Sequence, residues 1–158
     1  MSYILKLLKN NFLLTLLSFM KSKNWVNRQK NDQFVKKAKQ LGYINRAAFK
    51  LEEIEQKYKI IEHSREILEL GSSPGGWTQV ILNYNSKTNI TCFDLLDMKI
   101  NNQSIAFYRE DFLKYNFTNL KNKFDLVLSD VAPNTTGHQS TDHLRISQLI
   151  YEVIDRLE

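Results

Sequence analysis

Apolar residues change their spacing several times between residue 32 and the end of the chain, and each change marks an element. Phe34, Val35, Ala38 and Leu41 share one face of a helix that Gly42 ends. Lys36, Lys37 and Lys39 lie on the same helix. Asn45 is suited to cap the next helix, with Ile44 and Phe49 at the positions of a hydrophobic staple. Ala47, Leu51, Ile54 and Tyr58 then continue at helical spacing. The short apolar run from Ile67 to Leu70 reads as a strand. It stops in the loop Gly71-Ser-Ser-Pro-Gly-Gly76, and an amphipathic helix runs from Trp77 to about Tyr84. Further strands are expected at Ile90–Phe93, about Ile105–Tyr108 and Phe124–Leu128. Ile146, Leu149, Ile150, Val153, Ile154 and Leu157 form the stripe of a last helix. Strands alternating with helices predict an α/β fold with a parallel, doubly wound sheet.

Composition narrows the class without deciding it. The chain has 158 residues, 42% hydrophobic and 25% charged, which suits one globular domain. Its net charge of +5 is unevenly placed. Residues 21–50 hold nine Lys or Arg against one acid, Asp32, whereas residues 51–158 carry more acids than bases. A basic block on a mildly acidic body points to a polyanion, with nucleic acid the leading reading and a solubilising or targeting tail the alternative. The single cysteine, Cys92, excludes an intrachain disulfide and reads as a small core residue. Phe12–Met20 is far shorter than the ~20 residues of a membrane span, and no signal-peptide cleavage pattern follows it. The lysine-bearing, acid-free start fits either an extension on a cytosolic protein or an organellar transit peptide. Residues 1–23 are expected to be a disordered or targeting extension, and 24–158 the domain.

The chemistry concentrates at the ends of the strands. Gly71, Gly75 and Gly76 allow backbone to lie close to a ligand, and the following helix offers the free N–H groups of its first turn. Asp94, Asp111 and Asp130 each follow a later strand, where open α/β sheets bind ligands, so the three carboxylates are expected to converge on the loop. An isolated aspartate at such a place is more often a turn former or cap. The loop has neither the Gly-x-Gly-x-x-Gly pattern of dinucleotide sites nor the Gly-Lys-Ser/Thr of a P-loop. It has no basic side chain for a pyrophosphate. A ligand with cationic groups, such as S-adenosylmethionine, suits carboxylates better. Trp77 could pack on its adenosine or near its cation, or simply fill the helix–sheet interface. No metal ligand set is expected.

Three blocks then make the chain similar to the FtsJ/RlmE family of ribosomal RNA 2′-O-methyltransferases. They are Asn45-Arg-Ala-Ala-Phe-Lys-Leu51, Leu70-Gly-Ser-Ser-Pro-Gly-Gly-Trp77 and Leu128-Ser-Asp-Val-Ala-Pro-Asn134. Thr136–Arg145 resembles the segment that follows in the family, and Asn24–Lys39 its basic N-terminal helix. The resemblance covers about residues 24–158 and implies a Rossmann-like, S-adenosylmethionine-dependent methyltransferase fold. It implies methylation of a uridine ribose 2′-hydroxyl in large-subunit ribosomal RNA, free or within the large ribosomal subunit. It implies cofactor contacts at Gly75, Trp77, Asp94, Asp111 and Asp130, with Lys50 and Asp130 as half of a catalytic Lys-Asp-Lys-Glu set. A ribose hydroxyl is a poor acid, so a lysine beside it to take or stabilise its proton makes chemical sense.

The chain departs from the family pattern at Glu69, where an aspartate is usual, and at Asn45, where Ser or Cys is usual. The second Lys and the Glu of the catalytic set belong to strands beyond residue 158. The expectations are therefore a sheet lacking its last strands, an exposed edge at the strand that ends in Asp130, and a poor or inactive enzyme in the chain as written. The alternative function is a non-catalytic RNA-binding or ribosome-assembly module that keeps the fold. A monomer without membrane attachment is expected, in the cytoplasm or, as the alternative, in a mitochondrial or other organellar matrix.

Overall fold

A computed structural model describes residues 3–5, 32–120, 123–131 and 139–157. The elements, in chain order, are β1 (Tyr3–Leu5), α1 (Gln33–Gln40), α2 (Ala47–Tyr58), β2 (Glu66–Leu70), α3 (Gly76–Tyr84), β3 (Asn89–Phe93), β4 (Ile105–Tyr108), β5 (Leu126–Ser129) and α4 (Gln139–Leu157). A 3-10 turn, Phe117–Asn119, precedes β5. Each expected helix and strand is present. Bounds agree within two residues, except that α4 begins at Gln139, ahead of its apolar stripe. The expectations for residues 1–2 and 6–31, and for 132–138, lie outside the described residues.

The sheet order is β1-β5-β2-β3-β4. β2 pairs in parallel with both β3 and β5, and β4 pairs in parallel with β3. The chain moves one way from β2 to β3 and β4, then returns to place β5 on the other side. That reversal opens a crevice at the carboxyl ends of β2 and β5. The expected exposed edge at β5 needs correction. Tyr3–Leu5 pairs antiparallel with it, Tyr3 opposite Ser129 and Leu5 opposite Val127, so that edge is covered by backbone from the start of the chain.

Strand periodicity sorts the core onto two faces. Ile67, Ile90, Cys92, Leu126 and Leu128 face α2 and α3, packing with Leu51, Ile54, Trp77, Val80 and Ile81. Leu68, Leu70, Phe93 and Val127 face the other way, towards Phe112, Phe117 and the Val153 and Leu157 side chains of α4. Cys92 is a free, buried core thiol, as its strand position implies. The same alternation puts Glu69, two residues after Ile67, inside the α3 face.

The caps follow from local chemistry. Asp32 accepts from Phe34 N at 2.8 Å and starts α1, and Gly42, at φ 75°, ends it. Arg46 stands at the N-cap of α2 without a side-chain cap bond, and Asn45, one residue ahead of the expected cap position, still accepts from Ala47 N through Oδ1 at 3.1 Å. α1 buries only Ala38, while Phe34 and Leu41, on the same apolar stripe, are 59% and 58% exposed.

Candidate active site

The glycine loop is held from three sides. From β3, Phe93 O accepts from Gly71 N at 2.8 Å and from Ser72 N at 3.3 Å. From the segment after β3, Asp94 Oδ2 accepts from Ser73 N at 2.8 Å, Asp97 O accepts from Ser73 Oγ at 2.9 Å, and Lys99 N donates to Pro74 O at 3.1 Å. The third side is β5, whose Asp130 N donates to Leu70 O at 3.1 Å.

Glycine is required here by close approach. A Cβ on Gly71, at φ 76°, would lie 2.8 Å from Val131 Cγ2 and 3.1 Å from Val131 N. A Cβ on Gly76 would lie 1.9 Å from Asn45 Oδ1. The departure at Asn45 is thus seated directly on the loop. Gly75 (φ 111°) is followed by α3, whose first-turn amides have no capping side chain.

Beneath the loop lies a buried acid. Glu69 is 1% exposed, and its Oε2 accepts from Thr78 Oγ1 at 2.7 Å and from Cys92 Sγ at 3.7 Å. Burial pushes the carboxyl up to about 8, against the pull of those hydrogen bonds. Glu69 is therefore a largely neutral strut at pH 7, tying β2 and β3 to the first turn of α3. Gln79, next along the helix, accepts from Ile44 N at 3.0 Å and donates to Gly42 O at 2.8 Å, fixing the α1–α2 connection to α3. Sequence reasoning missed the roles of Thr78 and Gln79. The signal was two polar residues at the head of an apolar helix.

The structure sorts the expected site residues. Lys50 and Asp130 come together, Nζ to Oδ1 at 3.6 Å, each side chain about 30% exposed. Burial lowers the Lys50 ammonium to about 8. Asp94 touches the loop directly and also accepts from Leu96 N at 2.8 Å. Gly75 sits in the loop. Asp111, in contrast, accepts from Leu113 N at 3.1 Å and pairs with Lys114 at 3.7 Å, the behaviour of a turn-forming aspartate. The Trp77 indole is not available for stacking. It is 3% exposed and donates from Nε1 to Ala47 O at 2.9 Å, binding α3 to α2. What Trp77 presents to the loop is its main-chain N–H in the first turn of α3.

The residues present fit a nucleoside ligand with an amino-acid tail. The uncapped first turn of α3 can receive a carboxylate. Asp94 retains acceptor capacity for hydroxyls or an ammonium. Ser72 Oγ is the one buried side-chain N or O atom without a hydrogen-bond partner among the described residues. No cluster of three or more His, Cys, Asp or Glu among those residues could hold a metal ion, and no described helix is long and apolar enough to cross a membrane.

Comparison with known proteins agrees with this arrangement. Residues 43–156 match the FtsJ-like methyltransferase family. The ribosomal RNA large subunit methyltransferase E of Bradyrhizobium diazoefficiens is 40% identical over 140 residues, covering 83% of this chain and 61% of that protein. The protein of the same name from Rickettsia bellii is 40% identical over 134 residues, covering 78% of this chain and 59% of its own length. This chain thus spans about three fifths of the curated relatives it matches. The crystal structure of a ribosomal RNA methyltransferase from Plasmodium falciparum superposes with a TM-score of 0.59 at 28% identity, covering 71% of this chain and 69% of that one. With its glycine loop, strand-end carboxylates and Lys50 at the crevice, the chain belongs to the FtsJ-like methyltransferase family.

Proposed function

We propose that the protein binds S-adenosylmethionine in the Gly71–Gly76 loop and methylates a ribose 2′-hydroxyl of a uridine in large-subunit ribosomal RNA. The observation that carries this reading is the Lys50–Asp130 pair, 3.6 Å apart beside the loop, with the lysine held at about 8 by burial. A lysine so lowered is a base nearer the working pH than an ordinary one, and a ribose hydroxyl needs such a base. Neutral Lys50 accepts the hydroxyl proton, and the Asp130 carboxylate holds the ammonium that results. S-adenosylmethionine, when bound, supplies the methyl group. Asp94 and the first-turn amides of α3 orient it, and Glu69 with Thr78 keeps that turn in place. The names of the relatives support large-subunit ribosomal RNA as the substrate class.

Titration calorimetry tests the cofactor half: S-adenosylmethionine binds the chain, and an Asp94→Ala variant loses most of that affinity. Transfer of labelled methyl groups to large ribosomal subunits tests the reaction. The product linkage resists alkali, because a methylated 2′-oxygen cannot attack its own phosphate. Lys50→Met abolishes transfer without loss of cofactor binding, and the wild-type rate rises with pH and levels off near 8. Because this chain carries only Lys50 and Asp130 of the expected catalytic set, cofactor binding with little or no transfer agrees with a half-complete set. RNA binding without any cofactor binding would instead favour a non-catalytic ribosome-assembly role.

A further inference from the structure

The apolar stripe of α1 extends beyond what the fold buries. Ala38 is packed, yet Phe34, one turn before it, is 59% exposed. Phe34 is not isolated. Its ring lies 6.1 Å from that of Phe49, tilted at 57°, and Phe49 in turn meets Tyr43 edge-on at 5.5 Å. Lys37 Nζ stands 5.3 Å from the centre of the Phe49 ring. The three rings form a ladder whose inner end is packed and whose outer end is open, and Phe49 immediately precedes Lys50 in α2. The Asp32–Arg46 ion pair fixes the start of α1 to the start of α2, so the outer ring is held by a rigid frame. The helix that carries that ring is cationic: α1 holds Lys36, Lys37 and Lys39, and the one acid at its start, Asp32, is paired with Arg46.

We infer that Phe34 is a stacking platform for an unpaired base of the RNA, flanking the ribose presented to Lys50, while the α1 lysines hold the adjoining phosphates. The inference rests on the RNA-methylating reading and adds to it a side chain, Phe34, that holds a base neighbouring the target ribose. An exposed aromatic ring beside phosphate-neutralising lysines is the arrangement that binds single strands irrespective of sequence. An acidic protein would use the lysines but would leave the ring without a flat partner.

The test measures affinity of the full chain for a 12-nucleotide single-stranded RNA and for an RNA duplex of the same sequence, across salt concentrations. Phe34→Ala and Phe34→Leu should weaken single-strand binding by about tenfold. Duplex binding and the salt slope should stay unchanged, and Phe34→Tyr should restore wild-type affinity. The leucine variant keeps an apolar side chain on α1, so its loss cannot come from unfolding of the helix. Unchanged single-strand affinity in both variants would overturn the inference, as would equal losses on single strand and duplex. A drop in melting temperature without a drop in affinity would assign Phe34 to packing against the chain itself, and would also overturn it. If the wild-type chain bound no RNA, the RNA-methylating reading would fall with it. Wild-type binding that ignores Phe34 would remove the stacking platform alone.

Discussion

The glycine loop and helix α1 lie on either side of Lys50 along the chain and are built in opposite ways. The loop is enclosed. Its backbone is bonded to β3, to the Asp94–Lys99 segment and to β5, and Gly71 and Gly76 have no room for a single added carbon. Helix α1 is open. It buries one alanine, holds its place through a cap, an ion pair and ring contacts, and leaves Phe34 and Leu41 in solvent. A small cofactor needs a preorganised cavity, because each loose degree of freedom weakens orientation. A polyanion needs reach and charge, which a solvated helix supplies without a tight fit. The difference predicts that substitutions in the loop act through folding and cofactor binding together, and that substitutions in α1 act on RNA affinity alone.

Gly71→Ala breaks the enclosed region most severely. It forces a side chain into a left-handed conformation and against Val131, whose Cγ2 is the nearest atom and whose main-chain N is next, costing ~3 kcal/mol of unfolding free energy. Urea denaturation should show that loss, and calorimetry should show no cofactor binding. Trp77→Phe is the next largest. It removes the donor to Ala47 O and opens space between α2 and α3, for ~2 kcal/mol by the same denaturation measurement. Because the indole points away from the loop, cofactor affinity of the folded variant should change little. A large affinity loss would mean that the ring, and not only its amide, contributes to the site.

Glu69 gives the enclosed region a pH signature. Its carboxyl ordinarily titrates at 4.5 and is raised to about 8 in the fold. The folded state therefore holds a proton that the unfolded chain has released between those values, so stability declines as pH rises from about 4.5 through about 8. Glu69→Gln, which carries no proton to lose, should flatten that decline in denaturation curves measured across the window. An unchanged slope would assign the decline to other groups. The smallest effect on folding belongs to the open region. Replacing Lys36, Lys37 and Lys39 together by alanine should shift stability by less than ~0.5 kcal/mol. The same change should lower the salt slope of single-stranded RNA binding by ~0.7 for each phosphate no longer neutralised. A stability loss as large as that of Trp77→Phe would dissolve the contrast between the two regions.

Most of the scaffold was readable along the chain because helix and strand periods are local properties. Helices α1 to α4 and strands β2 to β5 follow from apolar spacing, and the end of α1 at Gly42 follows from residue type, whereas the cap made by Asp32 was not read from the sequence. Lys50 and Asp130, 80 positions apart, were paired by motif resemblance, and the fold brings them within 3.6 Å. Other site features were not readable. Asp94 and Asp111 each follow a strand and each accept from the main-chain N–H two residues on, yet only Asp94 also bonds the glycine loop. Their difference follows the sheet order, in which β3 lies next to β2 and its loop while β4 is the edge strand, and no local pattern states that order.

The sequence by itself determined the α/β class, the position of the glycine loop, the basic character of α1 and the identity of the groups that can do chemistry. Each is a matter of residue type and short-range spacing, which backbone sterics and side-chain chemistry turn directly into local structure. The tertiary structure alone decided that Glu69 is buried and largely neutral, that the Trp77 ring serves the core, that Tyr3–Leu5 closes the β5 edge, and that Phe34 stays in solvent. Those outcomes depend on which surfaces meet. Burial, and with it the pKa of an acid or the availability of a ring, belongs to the packed arrangement and not to any one segment.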